Sequence, residues 1–100
     1  MTIVERKLVR TPMQIETQNG SLELGRALFW DINEQHIGRA LVESDEWVVP
    51  RVFEYGTLEE ITELIRYYGR EKTVNILMHL KGELKPVTKA MAWYYFDLVL

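Results

Sequence analysis

Cysteine is absent from the 100-residue chain. That removes disulfide scaffolds, thiolate zinc sites and cysteine nucleophiles, and makes the reducing cytoplasm the natural compartment. Histidine is scarce: His36 and His79 stand alone, with no HxxxH or HxxE pair to start a metal site. Ser21 and Ser44 are the only serines, and neither sits in a GxSxG elbow. No glycine-rich loop offers to cradle a phosphate. The chain is therefore expected to hold no metal and no cofactor, and not to be an enzyme. Long hydrophobic runs are missing too, and the first residues, MTIVERKLVR, lack the continuous apolar stretch of a signal peptide. A cytoplasmic protein without membrane contact is expected.

What is present suits one globular domain. Hydrophobic residues make up 47% and charged residues 27%, enough for a modest core without staples. The net charge of −3 is unevenly spread. Residues 1–20 carry three basic and two acidic side chains, residues 21–56 three and seven, and residues 57–100 six of each. An acidic middle third lacks the basic excess usual in a nucleic-acid binder.

Residues 1–20 show weak periodicity and end in the turn signal Gln18-Asn19-Gly20. Ile3-Val4 and Leu8-Val9 suit either a short strand or a loosely ordered arm. In residues 21–33 Ser21 can cap a short helix that Gly25 weakens, and Asp31 and Asn33 can bond nearby amides. Phe29 and Trp30 read as a pair of core anchors. A short helix is expected around Ile37, Ala40 and Leu41. Ser44-Asp45 offers an N-cap for the next helix, which accommodates Pro50 most easily in its first turn and ends at Gly56.

The second half carries stronger helical signals. Thr57-Leu58-Glu59-Glu60 is a capping box, and Ile61, Leu64, Ile65 and Tyr68 follow on one face until Gly69. Glu59, Glu60 and Glu63 read as a capping and solvent-facing set. Residues 71–81 place Val74, Leu77 and Met78 together, before Gly82. Lys85-Pro86 begins a last helix with Val87, Met91, Tyr94, Tyr95 and Leu98 as its stripe.

Residues 57–81 invite comparison with a DNA-reading helix-turn-helix. In the compact motif about ten residues separate the two buried apolar positions, whereas Ile61 and Val74 are thirteen apart. The extra turn shifts the second helix along the first by roughly 5 Å. The exposed side of residues 71–81 offers only Lys72 and Lys81 as cations, thin for pairing with phosphates and bases. A helical hairpin that packs internally or on a protein is the preferred reading.

LFWDI (28–32), WVVPRVFEYGTLEE (47–60), LIRYYGREKTVNIL (64–77) and LKPVTKAMAWYYF (84–96) occur in that order. This order resembles a family of small bacterial proteins of unknown function, often encoded beside AbiEii-like nucleotidyltransferase toxins and regarded as antitoxin-like. The resemblance covers about residues 25–98. Its marks are Phe29-Trp30-Asp31, the set Arg51, Val52, Glu54 and Gly56, and the Tyr68-Gly69 helix end. None is catalytic, and the family brings no mechanism with it. The resemblance implies an antitoxin-like protein that binds and restrains a partner.

These readings give an all-α fold: a compact bundle of four or five short helices over residues 21–100, behind a loosely ordered arm at residues 1–20. The expected function is non-catalytic binding of a protein partner, with Glu43, Asp45, Glu46 and Glu54 as the candidate surface. The alternative is a DNA-binding regulator that uses Arg66, Arg70, Lys72, Lys81, Lys85 and Lys89. A homo-oligomer is compatible with either.

Overall fold

The computed structural model describes residues 12–100. Its first elements correct the all-α expectation. Pro12–Thr17 (β1) and Gly20–Gly25 (β2) pair as an antiparallel hairpin, so the domain is α+β. The register runs from Pro12 opposite Gly25 to Thr17 opposite Gly20, leaving Gln18-Asn19 as the loop. Gly20 has φ +126°, a conformation glycine adopts without steric cost. Asn19-Gly20 does mark a turn, but strands flank it where an arm and a Ser21-capped helix were expected. Residues 1–11, with Ile3-Val4 and Leu8-Val9, lie outside the described residues.

The strand signal is real but short. Met13 and Ile15 on β1 stand opposite Leu24 and Leu22 on β2, while Gln14, Glu16 and Glu23 face out. A two-stranded hairpin alone is marginal in water. This one persists because Ile15, Leu22 and Leu24 are buried in the helical core.

Five α-helices follow among the described residues: α1 (Ile37–Glu43), α2 (Asp45–Tyr55), α3 (Leu58–Tyr68), α4 (Arg70–His79) and α5 (Pro86–Phe96). Short 3-10 turns at Arg26–Phe29, Glu34–His36 and Lys81–Glu83 join them. The central layer is α2, whose Val48, Val49, Val52 and Phe53 are fully buried. Pro50 sits in its second turn rather than its first. Proline there removes the amide hydrogen that would bond the Glu46 carbonyl. The helix continues because its buried face is larger than that loss. Gly56 ends α2 as expected, in extended backbone; a Cβ there would lie 2.6 Å from the Val52 carbonyl oxygen.

The capping box of α3 forms as expected. Thr57 Oγ1 accepts from the Glu60 amide at 3.1 Å, and Glu60 Oε1 accepts from the Thr57 amide at 2.8 Å. Thr57→Ala is expected to lower stability by about 1 kcal/mol. The denaturant midpoint should fall with its slope unchanged; an unchanged midpoint would remove Thr57 from the cap.

The acidic residues of α3 do more than cap and face solvent. Glu60 Oε2 accepts from the Gly25 amide at 2.8 Å and Glu63 Oε2 from the Glu23 amide at 2.9 Å. Arg66 donates to the Ser21 carbonyl at 2.9 Å. Residues 60, 63 and 66 lie along one helical ridge, and residues 21, 23 and 25 along one strand edge. The polar side of α3 thus satisfies the outer edge of β2.

This arrangement has a pH signature. The Arg66 hydrogen bond, with the Glu23 amide beside it, holds the Glu63 carboxyl below the ordinary 4.5. A carboxyl with a lower pKa folded than unfolded stabilises the fold above its unfolded value. That contribution is lost as pH falls through the folded value. The denaturant midpoint should therefore drop on acidification below pH 4.5, and Glu63→Gln should flatten that part of the profile. The contribution stays below about 1 kcal/mol, because the pair is partly solvated.

Two helices turn faces other than those expected toward the core. α4 buries Thr73, Ile76 and Leu77, while Met78 is exposed. Thr73 can be inside because its hydroxyl bonds the Gly69 carbonyl at 2.8 Å. α5 buries Thr88, Ala92 and Phe96, leaving Val87 and Tyr94 outside. In both helices a small or hydroxyl-bearing residue (Thr73, Thr88, Ala92) takes a buried position while Met78, Val87 and Tyr94 are left at the surface.

Candidate functional site, an arginine between two tryptophans

Phe29 and Trp30 separate. Phe29 is fully buried, as expected, but Trp30 is 62% exposed and is not a core anchor. The backbone explains the difference: Arg26–Phe29 is a 3-10 turn that points Phe29 inward and delivers Trp30 to the surface. Arg26 fixes this loop from within, donating to the Phe29 carbonyl at 2.6 Å and the Ile32 carbonyl at 3.0 Å. Asn33 caps the next turn through the Gln35 amide at 3.1 Å. Asp31 turns instead toward Arg51.

Arg51 organises the site. Its two terminal nitrogens meet the two carboxylate oxygens of Asp31 at 2.5 and 2.9 Å, a bidentate pair. It also donates to the Leu28 carbonyl at 3.2 Å. Its guanidinium lies 4.6 Å from the Trp30 ring centre and 4.0 Å from that of Trp47. Tyr55, one turn further along α2, meets Trp30 edge-on at 5.8 Å. The Arg51 hydrogen bond is the main cause of a lowered Asp31 pKa. The chain therefore brings together two sequence marks twenty residues apart, Phe29-Trp30-Asp31 and the set beginning at Arg51. Trp47 and Tyr55 were missed as site residues. The signal was the spacing 47, 51, 55, which places the three on one face of a helix.

The four acidic residues of the expected partner surface lie at the ends of α1 and on α2, and each has a basic neighbour. Glu43 bonds Arg39 at 3.0 Å, Asp45 meets Lys72 at 3.2 Å, Glu46 lies 3.8 Å from His79, and Glu54 lies 3.5 Å from Lys85. The basic residues of the alternative reading are divided among several contacts. Arg66 joins Glu63 and the β2 edge, Arg70 lies 5.1 Å from the Phe96 ring centre, and Lys72 lies 5.3 Å from that of Tyr68. Lys81 is exposed beside α4, and Lys89 is half-buried on α5. A single residue, Gly69 with φ +88°, joins α3 to α4, where the compact DNA-reading motif has a turn of roughly three or four.

Among the described residues no three His, Asp or Glu side chains gather as a metal site. His36 is exposed on a 3-10 turn. The Tyr68 hydroxyl, half-buried, donates to the Leu41 carbonyl at 2.6 Å, and its pKa is raised by burial and by the charge of Asp45. Among the described residues no helix is long and apolar enough to cross a membrane.

A hairpin backed by five short helices, with an exposed aromatic–arginine cluster, defines a small α+β domain. The chain belongs to a family of unknown function, DUF6922, which matches residues 24–77. That span holds β2 from Leu24 through most of α4, and with it the whole Trp30–Arg51 cluster. The segment 84–96, part of the expected resemblance, lies beyond it. Neither a curated protein nor a solved structure matches the chain.

Proposed function

We propose that this chain is a non-catalytic binding protein that holds a protein partner at the surface formed by Trp30, Trp47, Arg51 and Tyr55. The observation that carries the reading is the exposed Trp30–Tyr55 pair beside an arginine already fixed by Asp31. Tryptophan, tyrosine and arginine dominate the energetics of protein interfaces. A surface held rigid before binding loses little side-chain entropy when a partner arrives. Exposed apolar side chains gathered in one patch and rimmed by polar groups mark interaction sites.

The resemblance to proteins encoded beside nucleotidyltransferase toxins points to the class of partner. An antitoxin-like role would have the chain block a toxin that acts on nucleotides, whose working cleft is expected to be basic. Asp45, Glu46 and Glu54 share α2 with Trp47, Arg51 and Tyr55 and carry the opposite charge. The alternative is DNA binding through Arg70 and Lys72.

The deciding experiment measures binding of the full chain to the protein encoded beside it, and separately to DNA. A double variant, Trp30→Ala with Tyr55→Ala, should lose the protein partner and keep its fold. Arg70→Glu with Lys72→Glu should leave partner binding in place. If the basic variant abolishes specific DNA binding and the aromatic variant changes nothing, the proposal is overturned.

A further inference from the structure

The hairpin has two edges, and the protein treats them differently. On β2 the outward groups of residues 21, 23 and 25 are bonded by Arg66, Glu63 and Glu60. On β1 the matching positions are Gln14 and Glu16, which face Glu23 and Ser21 across the non-hydrogen-bonded pairs of the ladder. Among the described residues no backbone group bonds to either from the open side. Pro12, the next outward position, has no amide hydrogen to offer. α1 approaches this edge closely at Gly38, where a Cβ would lie 2.8 Å from the Glu16 carbonyl oxygen. That contact covers the Glu16 acceptor. Among the described residues nothing bonds the Gln14 amide or carbonyl or the Glu16 amide from that side.

Beside them runs a groove of about 420 Å³ between β1 and α1, with Met13, Ile37 and Val42 among its apolar lining. Its charge is one-sided. Among the described residues Glu16, Glu34 and Glu43 line it with a single cation, Arg39, which is tied to Glu43 at 3.0 Å. Arg26 lies 3.9 Å from Glu34, outside the lining. Among the described residues no cation lies within ion-pair distance of Glu16.

We propose that this edge receives an extended, lysine- or arginine-bearing segment of a partner protein, which adds to β1 as a third strand. Main-chain bonds to Gln14 and Glu16 would supply the attachment. Alternate side chains would rest on the groove's apolar lining or reach its carboxylates. Unpaired strand edges are templates for such addition, and proteins usually blunt them; among the described residues β2 is blunted at residues 21, 23 and 25, whereas β1 is blunted only at Pro12 and the Glu16 carbonyl. A second copy of this chain is a poor occupant. Its own β1, PMQIET, carries a glutamate and no cation into a groove that is already acidic. The site shares no residue with the aromatic cluster and does not depend on the role given to that cluster.

The test is amide NMR of the full chain titrated with two blocked peptides, Lys-Val-Lys-Val-Lys-Val and Glu-Val-Glu-Val-Glu-Val. The lysine peptide should shift the amides of Gln14 and Glu16 and slow their hydrogen exchange, and the glutamate peptide should not. Glu16→Lys with Glu34→Lys should weaken the lysine peptide about tenfold, as expected for two partly exposed ion pairs. Should that variant fold poorly, methylating alternate backbone nitrogens of the peptide tests the same contacts on the native chain and should abolish binding. Equal response to both peptides, no response at millimolar concentration, shifts confined to other elements, or self-association through β1 would each overturn the proposal.

Discussion

Trp30→Ala combined with Tyr55→Ala is expected to weaken partner binding by about thirtyfold or more, with the fold retained. The magnitude follows from what truncating an interface anchor costs, about 2 kcal/mol or above, at 1.4 kcal/mol for each factor of ten. The separation from stability rests on exposure. Trp30 is 62% and Tyr55 49% exposed, so their removal takes little apolar area out of the core. Trp47 is a less clean target, because its ring lies 6.4 Å from the buried Phe29 and its loss would disturb packing. Calorimetric binding and a denaturant midpoint on the same protein separate the two effects. A midpoint drop as large as the binding loss would mean the cluster is structural. Full binding by the variant would place the partner elsewhere.

Phe53→Ala should be the most destabilising change considered, at about 3–5 kcal/mol. Phe53 is fully buried on α2, and its ring lies 6.5 Å from Phe96 and 6.4 Å from Tyr95, both on α5. Truncation opens a cavity at the place where α5 is attached. The family match ends at residue 77, before α5 begins. The same variant therefore asks whether α5 and the matched core unfold together. One cooperative transition, shifted to lower denaturant, is expected. A variant in which α5 melts first, with the rest unchanged, would show that the helix is an appendage to an independently stable core.

Local signals carried the helices well. The capping box at Thr57 and Glu60, the apolar face of α3, the proline at the start of α5 and the short helix around Ile37 and Leu41 are written in adjacent residues. Each is decided by contacts within a turn or two. The hairpin was less legible. Its alternation spans only Met13-Ile15 and Leu22-Leu24, and Ser21, within β2, reads equally well as the N-cap of a short helix. Strand identity there depends on burial under the helices and on the side chains of α3, which lie 35 to 45 residues away in sequence.

The candidate site was only half visible. Phe29-Trp30-Asp31 and the set beginning at Arg51 stood out, but nothing local says that Asp31 reaches Arg51, or that adjacent aromatics part company. Nor does anything local say that two of the acidic candidates meet two of the basic ones, Asp45 with Lys72 and Glu54 with Lys85. By itself the sequence determined where most helices start and stop, that one small core could form, and which chemistries lack their residues. Those properties depend on composition and on neighbours along the chain. Only the tertiary structure decided that residues 12–25 are strands, which faces of α4 and α5 are inside, and that Arg51 stands between Trp30 and Trp47. Each depends on groups distant in sequence meeting in space, where close packing and the need to satisfy every buried polar group choose among local alternatives of similar energy.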